Sequence, residues 1–141
     1  MRRTRVVAAI VVDDLDAPTR VLGARRVRPE RLAGRWEFPG GKVEPGETAH
    51  AALVRELREE LAVTVRLGAE LHGPHEDGWH VTDRHAMRLW FATLVGPDPV
   101  PLAEHDELRW LDAASLDDVP WLDGDLEIVA TLRPLLTPPA R

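Results

Sequence analysis

Between Gly40 and Val63 the chain carries a Gly-Gly pair, a Pro-Gly turn and then a stretch, Thr48–Leu61, whose apolar residues recur at helical spacing. Leu53, Val54, Leu57 and Leu61 make one stripe of that helix. At about 100° per residue, Glu56, Glu59 and Glu60 fall within one arc of roughly 100° beside the leucines. A chain with this segment must lay the leucines on a core and line up three carboxylates along the edge of the contact. Like charges at i,i+4, here Glu56 and Glu60, oppose the helix by about a few tenths of a kcal/mol when exposed, and by more where an apolar flank excludes water. Arg55 can pair with Glu59 at i+4, which leaves Glu56 and Glu60 facing each other. A hard divalent cation with oxygen ligands answers the remaining charge.

The loop before the helix is suited to the same task. Gly40–Gly41 let the backbone come close to a ligand, so that a main-chain carbonyl or amide contacts metal or phosphate with no Cβ in the way. Pro45–Gly46 then turns the chain. Glu47, just before the helix, stands where the helix dipole favours a carboxylate, and it can join a metal shell from that side. Lys42 adds a positive charge beside the loop.

The 141 residues fit one domain, 1–141, able to bury roughly two thirds or more of its unfolded surface. Apolar or alternating runs at Arg5–Val12, Arg20–Val27, Val63–Leu71, Ala86–Val95 and Glu107–Leu111 read as strands. A second helix is expected over Asp125–Leu132, stopped by Pro134, with residues 134–141 as a frayed tail. Strands before, between and after two helices, without simple βαβ alternation, imply an α/β sandwich with a mixed sheet.

With no Cys, disulfides and thiolate metal sites are excluded, which suits a reducing cytoplasm. The basic start, Met1–Arg5, precedes an apolar run, Val6–Val12, that is too short for a membrane span and ends in Asp13 and Asp14, so neither a signal peptide nor a membrane segment is expected. A net charge of −6 argues against a nucleic-acid polymer as partner. The charge is uneven, however: residues 1–42 hold ten Lys/Arg against five Asp/Glu, and the remainder eight against nineteen. An acidic site beside a basic one suits a metal together with a polyphosphate. Seventeen of the eighteen basic residues are Arg, a bias that the codons of a GC-rich genome explain better than a demand for guanidinium groups.

Gly41, five residues, Glu47, seven residues, Arg55-Glu56-Leu57, one residue, Glu59-Glu60, one residue, Ala62-Val63: this pattern resembles the Nudix box. Only Ala62 departs from it, standing where the family has Gly. Alanine favours a negative φ, so a small local adjustment is expected there with metal binding kept. The flanking Trp36–Gly41 and Lys42–Glu47 are similar to the MutT-like branch.

The resemblance implies a Nudix-type α/β/α sandwich and an Mg2+-dependent hydrolase, with Mn2+ as a substitute, that cuts a nucleoside triphosphate to the monophosphate and pyrophosphate. It implies Gly41 (carbonyl), Glu56, Glu59 and Glu60 as metal ligands. Glu56 or Glu60 would be the base, assisted by Glu47 or Glu104, and Arg55 would orient Glu56 and Glu59. For the nucleotide, the branch points to Arg26 on the second strand, to Arg84 within Asp83-Arg84-His85, and to Asp125, whose bland reading is a helix N-cap. A carboxylate only accepts hydrogen bonds, so Asp125 would select an exocyclic amino group, as on cytosine, adenine or guanine.

Phe38 and Trp121 border the expected cleft and are the stacking candidates, whereas Trp36, Trp90 and Trp110 belong in the core. His72, His75, His80 and His85 show no metal spacing and read as loop histidines. The substrate is expected to be an oxidised guanine or cytidine-type triphosphate. A nucleotide sugar or dinucleoside polyphosphate is the second reading, and a non-catalytic nucleotide sensor the third; three crowded carboxylates argue against the sensor. Monomer and homodimer both fit.

Overall fold

The computed structural model describes residues 2–102 and 104–138. Its centre is β1 (Thr4–Val11), which runs parallel to β7 (His85–Val95) in a register from Thr4 opposite His85 to Val11 opposite Ala92. The other edge of β1 takes the short β4 (Gly40–Lys42) antiparallel. Two further strands, β5 (Thr64–Leu71) and β6 (Trp79–Thr82), lie antiparallel against β7. The result is a mixed five-stranded sheet, as the sequence implies. A second sheet was not expected: β3 (Trp36–Glu37), β2 (Arg20–Arg26) and β8 (His105–Asp112) form an antiparallel three-stranded unit.

The unbroken apolar run in β1 follows from its position between two helices. Successive side chains point to opposite faces. Val7, Ala9 and Val11 pack with Leu53, Leu57 and Leu61 of α1 (Ala49–Leu61), while Ala8, Ile10 and Val12 pack with Ile128, Val129 and Leu132 of α2 (Leu126–Leu132). A strand covered on both faces has no polar face to alternate with. Each fully buried leucine of the α1 stripe stabilises this layer by about 1.5–3 kcal/mol.

Both ends of α1 are finished by identifiable contacts. Thr48 Oγ1 accepts from the Ala51 amide at 3.1 Å, a side-chain N-cap. At the other end Ala62 adopts φ 57, ψ 38, and its amide donates to Arg58 O. The expected negative φ is therefore overturned. Leu61 and Val63 are both buried, and the chain must reverse between them to begin β5. Last-turn carbonyls of α1 are taken up by the segment after β7, where Val100 N donates to Leu61 O at 3.0 Å and Leu102 N to Glu60 O at 2.9 Å. That docking carries Glu104 and His105 to the acidic edge of the helix.

Three strands escaped the sequence reading because β3, β4 and β6 are only two to four residues long and two of them carry Gly or charge. The expected frayed tail also begins too early. Arg133–Leu135 continue α2 as a turn of 3-10 helix, Leu136 is buried, and Thr137 N donates to Pro18 O at 2.7 Å. Pro134 is tolerated there because it occupies the first turn. Residues 139–141 of that tail lie outside the described residues. Among the described residues no helix is long and apolar enough to cross a membrane.

Candidate active site

The register of β4 puts Gly41 opposite Val7 and Gly40 opposite Ala8, so the Gly-Gly pair is stitched to the central strand directly beside α1. A Cβ on Gly41 would overlap the Glu56 carboxylate, and one on Gly40 would overlap the Val7 carbonyl. This closeness is the physical reason for glycine at both positions. Glu60 lies next to them, its Oε2 accepting from the Gly40 amide at 3.3 Å. Glu56 and Glu60 are largely buried, whereas Glu59 is 58% exposed at the outer edge.

Burial raises both inner carboxyls. For Glu56 the rise is partly countered by Arg55. For Glu60 burial pushes the carboxyl up to about 7, with Glu37 and Glu56 adding to the rise and His105 and the Gly40 amide opposing it.

Arg55 is no exposed helix arginine. Its Nε and Nη2 donate to the two oxygens of Glu47 at 2.8 and 2.9 Å, Nη1 donates to Glu56 at 3.0 Å and to Glu59 at 3.3 Å, and Nη2 also reaches Lys42 O at 3.0 Å. The expected i+4 partner is thus one of several. Glu47, expected as a helper base or metal ligand, is engaged by Arg55 and by the Glu44 amide, and Arg55 first among these holds its carboxyl down to about 2. Glu47 thereby anchors Arg55 at the start of the helix.

The other expected residues divide. Glu104 stands near Glu56, whose carboxyl its charge helps to raise. Arg26, expected toward the nucleotide, turns inward: Nη1 donates to both Glu37 oxygens at 3.0 and 2.9 Å, Nε and Nη2 donate to Arg28 O, and Nη2 approaches Glu104 at 3.5 Å. Lys42 is exposed one residue beyond Gly41, and Arg84 is exposed in the turn between β6 and β7.

Phe38 and Trp121 do not form an open platform. Both are buried and stack on each other with centroids 4.9 Å apart, and Trp121 Nε1 donates to Leu116 O at 2.7 Å. They fill the space beneath α2, a contact between distant segments that no local pattern announces. Trp36 and Trp90 are core residues as expected, and Trp110 is half-buried.

Asp125 precedes α2 but makes no side-chain cap. It is buried, and that burial, reinforced by the Glu37 charge, pushes its carboxyl up to about 8 against the opposing Phe38 amide and Arg26. Burial thus favours its neutral form, which offers a donor as well as the acceptor expected from the sequence.

Glu37 and His105 were missed by the sequence reading. His105 has no exposed side-chain surface, and its Nε2 donates to Glu37 at 2.8 Å. Neither belongs to a spaced motif; they meet only because β3 and β8 flank β2.

A divalent cation suits this donor set. Three carboxylates on one helix edge and a glycine carbonyl are all hard oxygen ligands, and burial raises two of the carboxyls. Among the described residues no three His, Asp or Glu side chains already close on one point. Glu56 lies against Gly41, Glu60 against Gly40, and Glu59 toward Arg55, along one edge of α1.

A mixed sheet between two helices, with an acidic helix edge set against a Gly-Gly strand, defines a class of metal-assisted phosphate chemistry on an α/β scaffold. The NUDIX domain model matches residues 2–132, and the chain belongs to the Nudix family, whose hydrolases work with a divalent metal ion. A Mycobacterium tuberculosis protein named "Putative 8-oxo-dGTP diphosphatase 2" is 44% identical over 114 residues, covering 79% of this chain and 78% of that one. The CTP pyrophosphohydrolase of Escherichia coli is 34% identical over 138 residues, covering 92% and 90%. The solution structure of the E. coli ORF135 protein matches with a TM-score of 0.70 at 30% identity, over 94% of this chain and 92% of that one.

Proposed function

We propose that the protein hydrolyses a (deoxy)nucleoside triphosphate, of cytidine or oxidised guanine type, to the nucleoside monophosphate and pyrophosphate in the cytoplasm, with Mg2+ as its metal and Mn2+ able to replace it. The observation that carries this reading is the sequestered acidic edge of α1, where Glu56 and Glu60 lie against Gly41 and Gly40 with raised carboxyls. In this reading Glu56, Glu59, Glu60 and the Gly41 carbonyl are the ligands. When bound, the cation neutralises the phosphate oxygens and lowers the pKa of a coordinated water.

The chain's own residues do the positioning. Arg55, anchored by Glu47, holds Glu56 and Glu59 in place. Glu56 or Glu60 takes the proton from the attacking water, with Glu104 adding negative charge nearby. Lys42, exposed beside Gly41, supplies positive charge for the triphosphate. The water oxygen bonds to phosphorus as the anhydride P–O bond breaks, and the pyrophosphate leaves with the electron pair.

Base selection falls to Asp125. A protonated carboxyl pairs with an edge that places an acceptor next to a donor. Cytosine presents N3 beside its amino group, and 8-oxoguanine presents O6 beside N7–H. The names of the relatives, a CTP pyrophosphohydrolase and an 8-oxo-dGTP diphosphatase, support the same two nucleotides.

The test is a nucleotide panel including CTP, dCTP, dGTP and 8-oxo-dGTP, incubated with Mg2+ and resolved by chromatography. Equimolar monophosphate and pyrophosphate from one of the two groups is the expected result. Diphosphate plus orthophosphate from every nucleotide, or no product at all, would overturn it, and preferred cleavage of a nucleotide sugar or dinucleoside polyphosphate would replace the substrate.

A further inference from the structure

Beneath the acidic edge of α1, four side chains from four elements stand in sequence, and the reaction described above uses only the last. Arg26 ends β2 at a register shift and grips both oxygens of Glu37, at 3.0 and 2.9 Å. Glu37 Oε2 accepts from His105 Nε2 at 2.8 Å. The other imidazole nitrogen, Nδ1, lies 3.8 Å from Glu60 Oε2. Among the described residues, that Nδ1 is the buried side-chain nitrogen or oxygen with no hydrogen-bond partner.

A fully buried ring needed only for packing would be better served by Leu or Phe, since burying an imidazole nitrogen without a partner is costly. Here both nitrogens face carboxylates: one is fixed by Arg26, the other belongs to the acidic edge. The separation of 3.8 Å is too long for a hydrogen bond and short enough for the ring and the carboxylate to constrain each other. Arg26 and Glu37 brace the ring from the three-stranded sheet, and Glu60 is held from the opposite side by the Gly40 amide.

We propose that His105 is a positioning residue for Glu60: the strut Arg26–Glu37–His105 sets where the Glu60 carboxylate lies beside Gly40, and so shapes the cation site on α1. The inference rests on the reading of Glu60 as a metal ligand. Loss of the imidazole removes no ligand, yet leaves the carboxylate without the wall that limits its rotation. Partners that orient ligating carboxylates commonly matter tenfold to a hundredfold in metal affinity.

Mn2+ titration of the nucleotide-free protein by calorimetry, alongside steady-state kinetics, tests it. In His105→Asn, Mn2+ affinity is expected to fall about tenfold or more and kcat to fall with it, while KM for the nucleotide stays within about twofold. Glu37→Gln, which loosens the grip of Arg26 on the ring, is expected to weaken Mn2+ binding in the same direction by less. Affinity and kcat of both variants within about twofold of the parent protein would overturn the proposal. If circular dichroism shows that His105→Asn does not fold, Glu37→Gln decides by the same criterion. Absence of Mn2+ binding in the parent protein would remove the metal reading of Glu60 itself, a failure distinct from that of the strut.

Discussion

At the N-terminal end of α1, Glu47 meets Arg55 through two oxygens at 2.8 and 2.9 Å, and its carboxyl is held down to about 2. At the C-terminal end, Glu60 has one amide at 3.3 Å and a histidine nitrogen at 3.8 Å, and burial pushes its carboxyl up to about 7. These two glutamates of one motif are thus prepared for different work. The first is neutralised inside the protein and serves as a fixed anchor. The second is kept short of counter-charge, so a cation has something to gain by arriving. Asp125, pushed up to about 8 beside α2, extends the contrast: there burial yields a proton donor.

Removing the under-neutralised end should have the largest effect. Glu60→Gln is expected to lower kcat by about 100-fold or more, because a ligand worth several kcal/mol of transition-state stabilisation is lost. The melting temperature of the metal-free protein should not fall, since the deleted charge is one that burial disfavours. Near-normal turnover with Mg2+ would erase the functional difference between the two ends.

Asp125→Ala tests whether the third carboxyl is set aside for the base. Alanine removes both the donor and the acceptor of the carboxyl, so kcat/KM for the preferred nucleotide should fall about tenfold relative to its competitors. The Mg2+ concentration for half-maximal rate should stay put. If the ranking across the nucleotide panel survives, Asp125 is a structural acid and nothing more.

The contrast also has a pH signature. Glu60 and Asp125 have folded values above their ordinary 4.5 and 3.8. Below those ordinary values both groups are protonated in either state and contribute nothing. As pH rises toward 7 and 8 the unfolded chain releases protons that the fold retains, so these two groups make stability fall. Glu47 acts oppositely: its contribution is present above 4.5 and is lost as pH falls toward 2. Differential scanning fluorimetry of the metal-free protein should therefore give a melting temperature roughly 5 °C lower at about pH 8.5 than at about pH 5. Saturating Mg2+ should restore the share due to Glu60 and leave that of Asp125. An equal Mg2+ effect in Glu60→Gln would contradict this division.

How much of this was legible depends on sequence distance. The box from Gly41 to Glu60 is contiguous, and period and spacing alone put its carboxylates on one helix edge. The same logic foresaw β1, β2, β5, β7 and β8, each long enough to show its pattern. It misjudged Arg26 because a guanidinium looks available until Glu37, eleven residues away, and Glu104, 78 away, fold against it. It misjudged Phe38 and Trp121 for the same reason: each is the partner that buries the other. His105 and Glu37 lie 68 residues apart and gain a role only through the strand order of the smaller sheet. Protonation of Asp125 required knowing that it is buried, which no residue type announces.

The smallest effect concerns the one position where the box is broken. Ala62 adopts φ 57 because the helix must end between two buried side chains, Leu61 and Val63. An L-residue with a Cβ in this region is strained by about 1–2 kcal/mol, while glycine occupies it without strain and gives back part of the gain through a more flexible unfolded chain. Ala62→Gly should therefore stabilise the protein by up to about 1 kcal/mol, read as a modest rise in the midpoint of urea unfolding. Because Ala62 is exposed and its amide bond to Arg58 O survives the change, kcat should not move. Ala62→Val should shift the midpoint the other way, since a branched Cβ is worse still at positive φ. A destabilised Ala62→Gly would mean that the chain leaves α1 with a negative φ after all, and that the C-terminal end of the acidic helix is not closed by a left-handed residue.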